Sequence, residues 1–252
     1  MKMTKLAKNI VSFIVIALVL TTSAMLFACD KNDDGIDYSI SNNFEYEVIE
    51  NSDMVAYKPI NVTPKYGLIF YVGTVIEPKY YEYLATALAK EGYVAVIPKM
   101  SLYMAYAGYK EVEPAFAEFP DVEFFVGGHS QGGGAAVRRA MENASTIKGV
   151  VLYAPLCYNE DSIVDYNLPT LLLEADGDGV LTPEMKADAK TRIAESAEKY
   201  MLTGSHMSFS TFDDDEVLAM FNDGALTQGE KDKQRSDAVS YTLNFMRKMV
   251  TQ

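Results

Sequence analysis

Cysteine, histidine and basic residues are all scarce in this chain. Its 252 residues include two cysteines, two histidines, and 22 lysines and arginines against 35 acids. The net charge of −13, with no Lys/Arg cluster to offset it, repels phosphate backbones and argues against nucleic acid as a partner. With two histidines, any imidazole base must be His129 or His206. Internal repeats and low-complexity tracts are also missing, which excludes solenoid and fibrous architectures. What is present is a chain 49% apolar, with 16 glycines and 9 prolines, the composition of one globular domain with a sizeable core.

Long hydrophobic runs are confined to the beginning. Lys2, Lys5 and Lys8 precede the apolar run "IVSFIVIALVL" from Ile10, and "TTSAMLFACD" follows. A basic start, a short apolar stretch and small residues before a break have the form of a secretory signal peptide over residues 1–28. The end "LFAC" resembles the lipobox of bacterial lipoproteins, although Phe27 is bulkier than the residue usual there. That resemblance implies that Cys29 becomes the mature N-terminus and carries the lipid, anchoring the protein to the cell membrane. An ordinary signal peptide or an uncleaved anchor over Ile10 to Ala28 are the alternatives, and all three place the domain outside the cytoplasmic membrane. With Cys29 lipidated, Cys157 is alone, no disulfide can form, and its thiol reads as a small buried apolar group. Residues 1–28 hold three lysines and no acid, so their removal takes the charge from −13 to −16. The polar segment 29–43, "CDKNDDGIDYSISNN", reads as a tether.

Residues 44–252 alternate between strand and helix patterns. "FEYEVI" has the alternation of a half-buried strand, and "MVAYKPI" is a second strand ended by Pro59. "GLIFYVG", "VAVIP", "VEFFVGG", "IKGVVLYAP" and "LPTLLLEAD" are short apolar runs of the kind buried on both faces of a sheet. Helical spacing marks "PKYYEYLATALAKEGY", a segment near Val112 to Phe119, "SQGGGAAVRRAMEN", and "TPEMKADAKTRIAESA" behind a Thr-Pro cap. "EKYMLTGS" is a last strand, before the closing amphipathic helix "EKDKQRSDAVSYTLNFMRKMV". The pattern predicts an α/β fold, a mostly parallel central sheet with helices on both faces and an antiparallel start. Functional loops are then expected at the carboxyl ends of the strands.

The glycines of "FFVGGHSQGGGAAV" carry the chemistry. A phosphate cradle needs a lysine and a hydroxyl residue where Gly133 and Gly134 stand, and no register of the dinucleotide fingerprint fits. "GHSQG", Gly128 to Gly132, is instead the G-x-S-x-G of a nucleophile elbow, set between strand and helix as that motif requires. So tight a turn leaves room for nothing but glycine two residues before and two after Ser130.

A nucleophilic serine needs a base, and the base an acid behind it. His129 adjoins Ser130 in the same turn and reads as packing beside the elbow, which leaves His206 in "GSHMSF" as the base. "LLLEADGDGV" offers Glu174, Asp176 and Asp178 for the acid. Asp178, in the loop beyond the strand, is the choice, with Asp176 in reserve. One oxyanion donor is the N–H of Gln131, the residue after the nucleophile. The other is expected from the loop "YVGTVIEP", at Thr74 before Val75.

These segments together, "GLIFYVGTVIEPKYYEYLATALAKEGYVAVIPKM", "FFVGGHSQGGGAA", "LLLEADGDGV" and "GSHMSF", resemble alpha/beta hydrolase family 5, distantly related to dienelactone hydrolases, from Val55 onward. The resemblance implies the alpha/beta hydrolase fold, with Ser130 as nucleophile, Asp178 as acid and His206 as base. The chain departs from the family at Val72 for proline, Gln131 for leucine, and Gly204-Ser205 for Gly-Asn. A dienelactone hydrolase proper has cysteine where Ser130 stands. The expectation is a monomeric, extracytoplasmic serine esterase acting on a small acyl substrate, with no metal or organic cofactor. The short connection from Leu156 to Asn167 leaves no room for a large lid, so an open site without interfacial activation is expected. The contrasting expectation is a surface-anchored binding protein that kept the fold and lost turnover. "FDDDE", Phe212 to Glu216, reads as a solvated acidic loop rather than a calcium site. Tyr103, Tyr106 and Tyr109 line an entrance or pack against the sheet.

Overall fold

The computed structural model describes residues 42–101, 104–158, 161–213, 218, 223 and 226–251. The signal segment, Cys29 and all but the last two residues of the tether lie outside them, as do Tyr103 and Asp214 to Glu216. Among the described residues no helix is long and apolar enough to cross a membrane.

Eight strands form one sheet: β1 (Tyr46–Glu50), β2 (Met54–Pro59), β3 (Tyr66–Tyr71), β4 (Val94–Pro98), β5 (Glu123–His129), β6 (Val150–Tyr153), β7 (Thr170–Ala175) and β8 (Glu198–Leu202). Their spatial order is β1-β2-β4-β3-β5-β6-β7-β8. β2 runs antiparallel to both β1 and β4, and every other pairing is parallel. The antiparallel start expected from two strands with no helix between them is therefore present. β1 is half-buried as its alternation predicts at Tyr46 and Ile49, which pack against the core, but Val48 is 51% exposed. β1 is an edge strand, with a neighbour on one side only, so the pattern alone could not place all its apolar residues inside.

Among the described residues the α-helices defined at both ends are α1 (Glu82–Lys90), α2 (Glu113–Glu118), α3 (Gln131–Glu142), α4 (Pro183–Thr191) and α5 (Gln228–Val250). Local chemistry sets their starts. Thr182 accepts from the Met185 N–H ahead of α4, and Thr227 with Glu230 forms a capping box at α5. The segment expected as one helix from Pro78 begins with a 3-10 turn, Pro78–Tyr81, before α1. Two neighbours on β5 show how the sheet is sandwiched. Phe124 meets Phe116 of α2 at 5.5 Å between ring centres, and Phe125 meets Phe245 of α5 at 6.0 Å. Consecutive strand residues point to opposite faces, so helices cover both.

Register then assembles the functional edge. Tyr71 of β3 lies beside Gly128 of β5, His129 beside Tyr153 of β6, and Ala175 of β7 beside Leu202 of β8. The loops that follow these strands all leave the sheet at its carboxyl end, where parallel α/β sheets hold ligands.

Candidate active site

Ser130 sits between β5 and α3 with φ 55° and ψ −123°. A side-chain-bearing residue rarely occupies this region, and such strain clusters at functional sites. Hydrogen bonds hold the turn. The Ser130 N–H donates to the Tyr153 carbonyl at 2.9 Å, and the Ser130 carbonyl accepts from Gly133 at 2.9 Å and Leu156 at 2.8 Å. A Cβ on Gly128 would stand 2.3 Å from the Gly132 backbone, and one on Gly132 would stand 2.3 Å from the Tyr71 carbonyl oxygen. Both glycines of G-x-S-x-G are thus steric requirements, as the motif predicts.

The structure brings Asp178 and His206 together across 28 residues of sequence. His206 Nδ1 and Asp178 Oδ2 are 3.0 Å apart, and both side chains are 1% exposed. A carboxylate can only accept, so Nδ1 carries the proton and donates, and Nε2 is the nitrogen free to take another. The His206 ring centre lies 4.7 Å from that of His129, the residue preceding Ser130, so base and elbow meet at one place. Burial pushes the Asp178 carboxyl up, but the His206 hydrogen bond and charge, the Leu181 N–H and nearby Lys186 outweigh it and hold the group below its ordinary range. Its Oδ1 accepts from the Val180 and Leu181 N–H groups at 2.9 Å each.

The other two acids of that segment have different partners. Glu174 pairs with Lys190 at 2.7 Å. Asp176 is exposed, and its Oδ1 accepts from the Gly204 N–H at 3.0 Å.

Side chains hold four successive N–H groups of the loop that carries His206. The N–H of Gly204 goes to Asp176, that of Ser205 to Gln234 Oε1 at 2.9 Å, that of His206 to Asp223 Oδ1 at 2.9 Å, and that of Met207 to Asp223 Oδ2 at 2.7 Å. Gln234, fully buried on α5, also donates from Nε2 to the Ser205 carbonyl at 2.8 Å. Neither Asp223 nor Gln234 was legible as a site residue. Their partners are backbone groups, which leave no mark in the sequence.

His129 is fully buried and takes the packing role expected of it. Its Nδ1 lies 2.8 Å from the Tyr81 hydroxyl, which accepts from the Gly73 N–H at 3.0 Å. Burial raises the Tyr81 pKa far above its usual value, so the hydroxyl stays protonated and donates to Nδ1. Burial, reinforced by His206, drives the His129 pKa well below normal and keeps its imidazole neutral. Among the described residues its Nε2 has no hydrogen-bond partner.

Gly73 thus spends its N–H on Tyr81. Thr74 and Val75 are the remaining donor candidates in that loop, whose turn is closed by Ile76 N–H to the Gly73 carbonyl at 3.2 Å. Val75 has φ 59°, a strained value for a β-branched residue. The Tyr71 and Val72 carbonyls, where this loop begins, face Gly132 in the first turn of α3. The expected oxyanion loop therefore starts against the helix that carries Gln131. At a helix N-terminus the Gln131 N–H has no intrahelical acceptor.

The Gln131 side chain is buried against an aromatic pair, donating to the Tyr158 hydroxyl at 3.3 Å. Tyr158 packs at a tilt against Tyr106 with ring centres 4.3 Å apart, and the Tyr106 hydroxyl donates to Asp161 at 2.7 Å. Tyr109 instead packs inward, and its carbonyl accepts from Tyr71. Of Tyr106 and Tyr109, the two described tyrosines of the expected entrance, Tyr106 is the one placed beside Gln131. Cys157 is half-buried rather than buried as expected, and desolvation pushes its thiol up to about 12. Asp213, at the head of the acidic loop, pairs with Lys231 at 2.6 Å. Among the described residues no cluster of three or more His, Cys, Asp or Glu could hold a metal ion.

The alpha/beta hydrolase family model matches residues 67–216, more than half of the chain. The protein belongs to the alpha/beta hydrolase family. No curated protein matches the sequence. Among solved structures, a predicted CIB-like hydrolase from Thermoplasma acidophilum superposes with a TM-score of 0.53 at 14% identity, covering 72% of this chain and 97% of the other. At that identity the likeness concerns the fold.

Proposed function

We propose that the protein is a serine hydrolase that cleaves a carboxylic ester or similar small acyl compound. The observation that carries this reading is the strained Ser130 at the elbow, whose neighbour His129 packs against a His206 already oriented by a buried Asp178. Ser130 Oγ attacks the carbonyl carbon while His206 Nε2 takes its proton. Asp178 holds the imidazole in the required tautomer and stabilises the imidazolium. The Gln131 and Thr74 N–H groups receive the negative charge that develops on the carbonyl oxygen. Collapse expels the alcohol, protonated by His206, and leaves Ser130 acylated. Water, deprotonated by His206, then releases the acid and restores the serine. This chain's own residues supply every proton transfer, and no metal or organic cofactor enters the scheme.

A fluorophosphonate probe tests the reading. It is expected to label the wild-type protein and to leave folded Ser130→Ala unlabelled. Folded wild type that resists labelling and turns over no p-nitrophenyl ester would sink the hydrolase reading and favour a binding protein on the same fold.

We propose further that the domain works outside the cytoplasmic membrane, tethered through lipidated Cys29. The support is the order of basic, apolar and small residues ahead of that cysteine. Cells fed labelled palmitate should incorporate it into the wild-type protein and not into Cys29→Ala. Equal incorporation in both would refute the anchor.

A further inference from the structure

We propose that Asp223 is a positioning residue for the catalytic pair, tying the acid loop to the base loop so that Asp178 and His206 stay in contact. The proposal rests on the hydrolase reading for its meaning, but its geometry stands separately.

The acid and base loops are joined at two places, on either side of the reactive residues. Upstream, the Gly177 N–H donates to the Gly204 carbonyl at 2.9 Å, and Asp176 accepts from the Gly204 N–H. These contacts precede Asp178 by one or two residues and His206 by two. Downstream, one carboxylate does the joining. Asp223 Oδ1 accepts from Gly179, the residue after Asp178, at 3.2 Å and from His206 itself at 2.9 Å. Its Oδ2 accepts from Met207, the residue after His206, at 2.7 Å.

Asp223 therefore grips the peptide N–H groups beside both members of the pair. None of the three has a backbone acceptor among the described residues. Without this carboxylate the loops would be joined only upstream, and the Asp178–His206 distance could open about that hinge. Anionic oxygens suit the place because all three neighbours are donors, and bonds to a charged acceptor are the stronger kind. An asparagine there has one acceptor oxygen and must turn its NH2 toward at least one N–H.

The test compares Asp223→Asn with wild type, alone and in an Asp178→Asn background. In the wild-type background kcat is expected to fall about tenfold with KM within about twofold, because binding is untouched and only alignment is lost. In the Asp178→Asn background the further loss should be under about twofold, since the contact being positioned is already gone. A merely structural defect would lower both backgrounds by the same factor. An independent readout is the far-downfield NMR resonance of the His206 Nδ1 proton, expected to move upfield or broaden in Asp223→Asn while the circular dichroism stays native.

Folded Asp223→Asn with wild-type kcat and an unmoved resonance would overturn the proposal, as would equal losses in the two backgrounds. Where the asparagine variant does not fold, Asp223→Glu serves. Its extra methylene cannot meet all three N–H groups, so kcat should fall at least about threefold and the resonance should shift; wild-type behaviour in both overturns the proposal. A wild type with no labelling and no turnover would defeat the hydrolase reading instead, and the resonance alone would then decide the role of Asp223.

Discussion

Replacing Ser130 by alanine is expected to lower kcat for p-nitrophenyl acetate by a factor on the order of 10⁶, and adding His206→Ala should cost almost nothing more. The two residues act in one step, so removing either leaves the other without a task. A serine with no base is a weak nucleophile, and an imidazole with no hydroxyl to deprotonate only fills space. What survives in both variants is the contribution of the oxyanion donors and of substrate binding, which do not depend on the triad. KM should therefore change little in either variant. The measurement is kcat and KM for both single variants and the double variant, with folding checked by circular dichroism. Losses that multiply would mean that Ser130 and His206 act independently, contrary to the mechanism proposed.

The second large effect separates the acids. Asp178→Asn is expected to reduce kcat about 10⁴-fold, whereas Asp176→Asn should stay within about tenfold of wild type. Asparagine keeps the shape of Asp178 but can offer an N–H to His206 Nδ1, which turns the imidazole to the wrong tautomer. Asp176 accepts from the Gly204 N–H and does not reach the ring, so its loss loosens the loop without changing the proton's place. Equal losses at the two positions would refute the assignment.

The same substitution has a pH signature. The folded Asp178 carboxyl titrates below its ordinary value despite the opposing effect of burial. A depressed carboxylate pKa means that the stability it contributes is fully present above the unfolded value of about 3.9 and is lost as pH falls through the lower, folded value. Denaturant unfolding of Asp178→Asn should accordingly show a shallower loss of stability below about pH 4 than wild type. Parallel acid limbs would contradict the linkage.

Much of the site could be read along the chain because its signals are local or exclusive. The elbow is a five-residue steric pattern flanked by a strand and a helix, and Gly128 and Gly132 stand as close to backbone as the pattern demands. His206 is the proposed base by elimination, since the other histidine shares the elbow. The choice between Asp176 and Asp178 was only a preference, because both lie just past β7. What separates them is which carboxylate turns inward, a matter of two backbone dihedrals in the loop.

Asp223, Gln234 and Tyr81 were not legible at all. Each acts on backbone N–H groups brought near by the meeting of strands and loops, and no residue type at the receiving end announces the contact. The edge strand shows the same limit from the other side. Alternation told that β1 is a strand, but which of its faces is covered depends on what lies beside it, and Val48 ends in solvent.

The loop from Gly204 to Met207 has a consequence for how the base could ever come loose. Four successive amides are held by side chains from three separate parts of the chain: the end of β7, the segment at Asp223 and the body of α5. A loop closed by its own backbone bonds can fray alone, one turn at a time. Releasing this one means withdrawing acceptors that belong to the loop after β7, to the segment at Asp223 and to the C-terminal helix. The imidazole's alignment is in that sense a property of the whole fold, and it should persist until the fold itself begins to open.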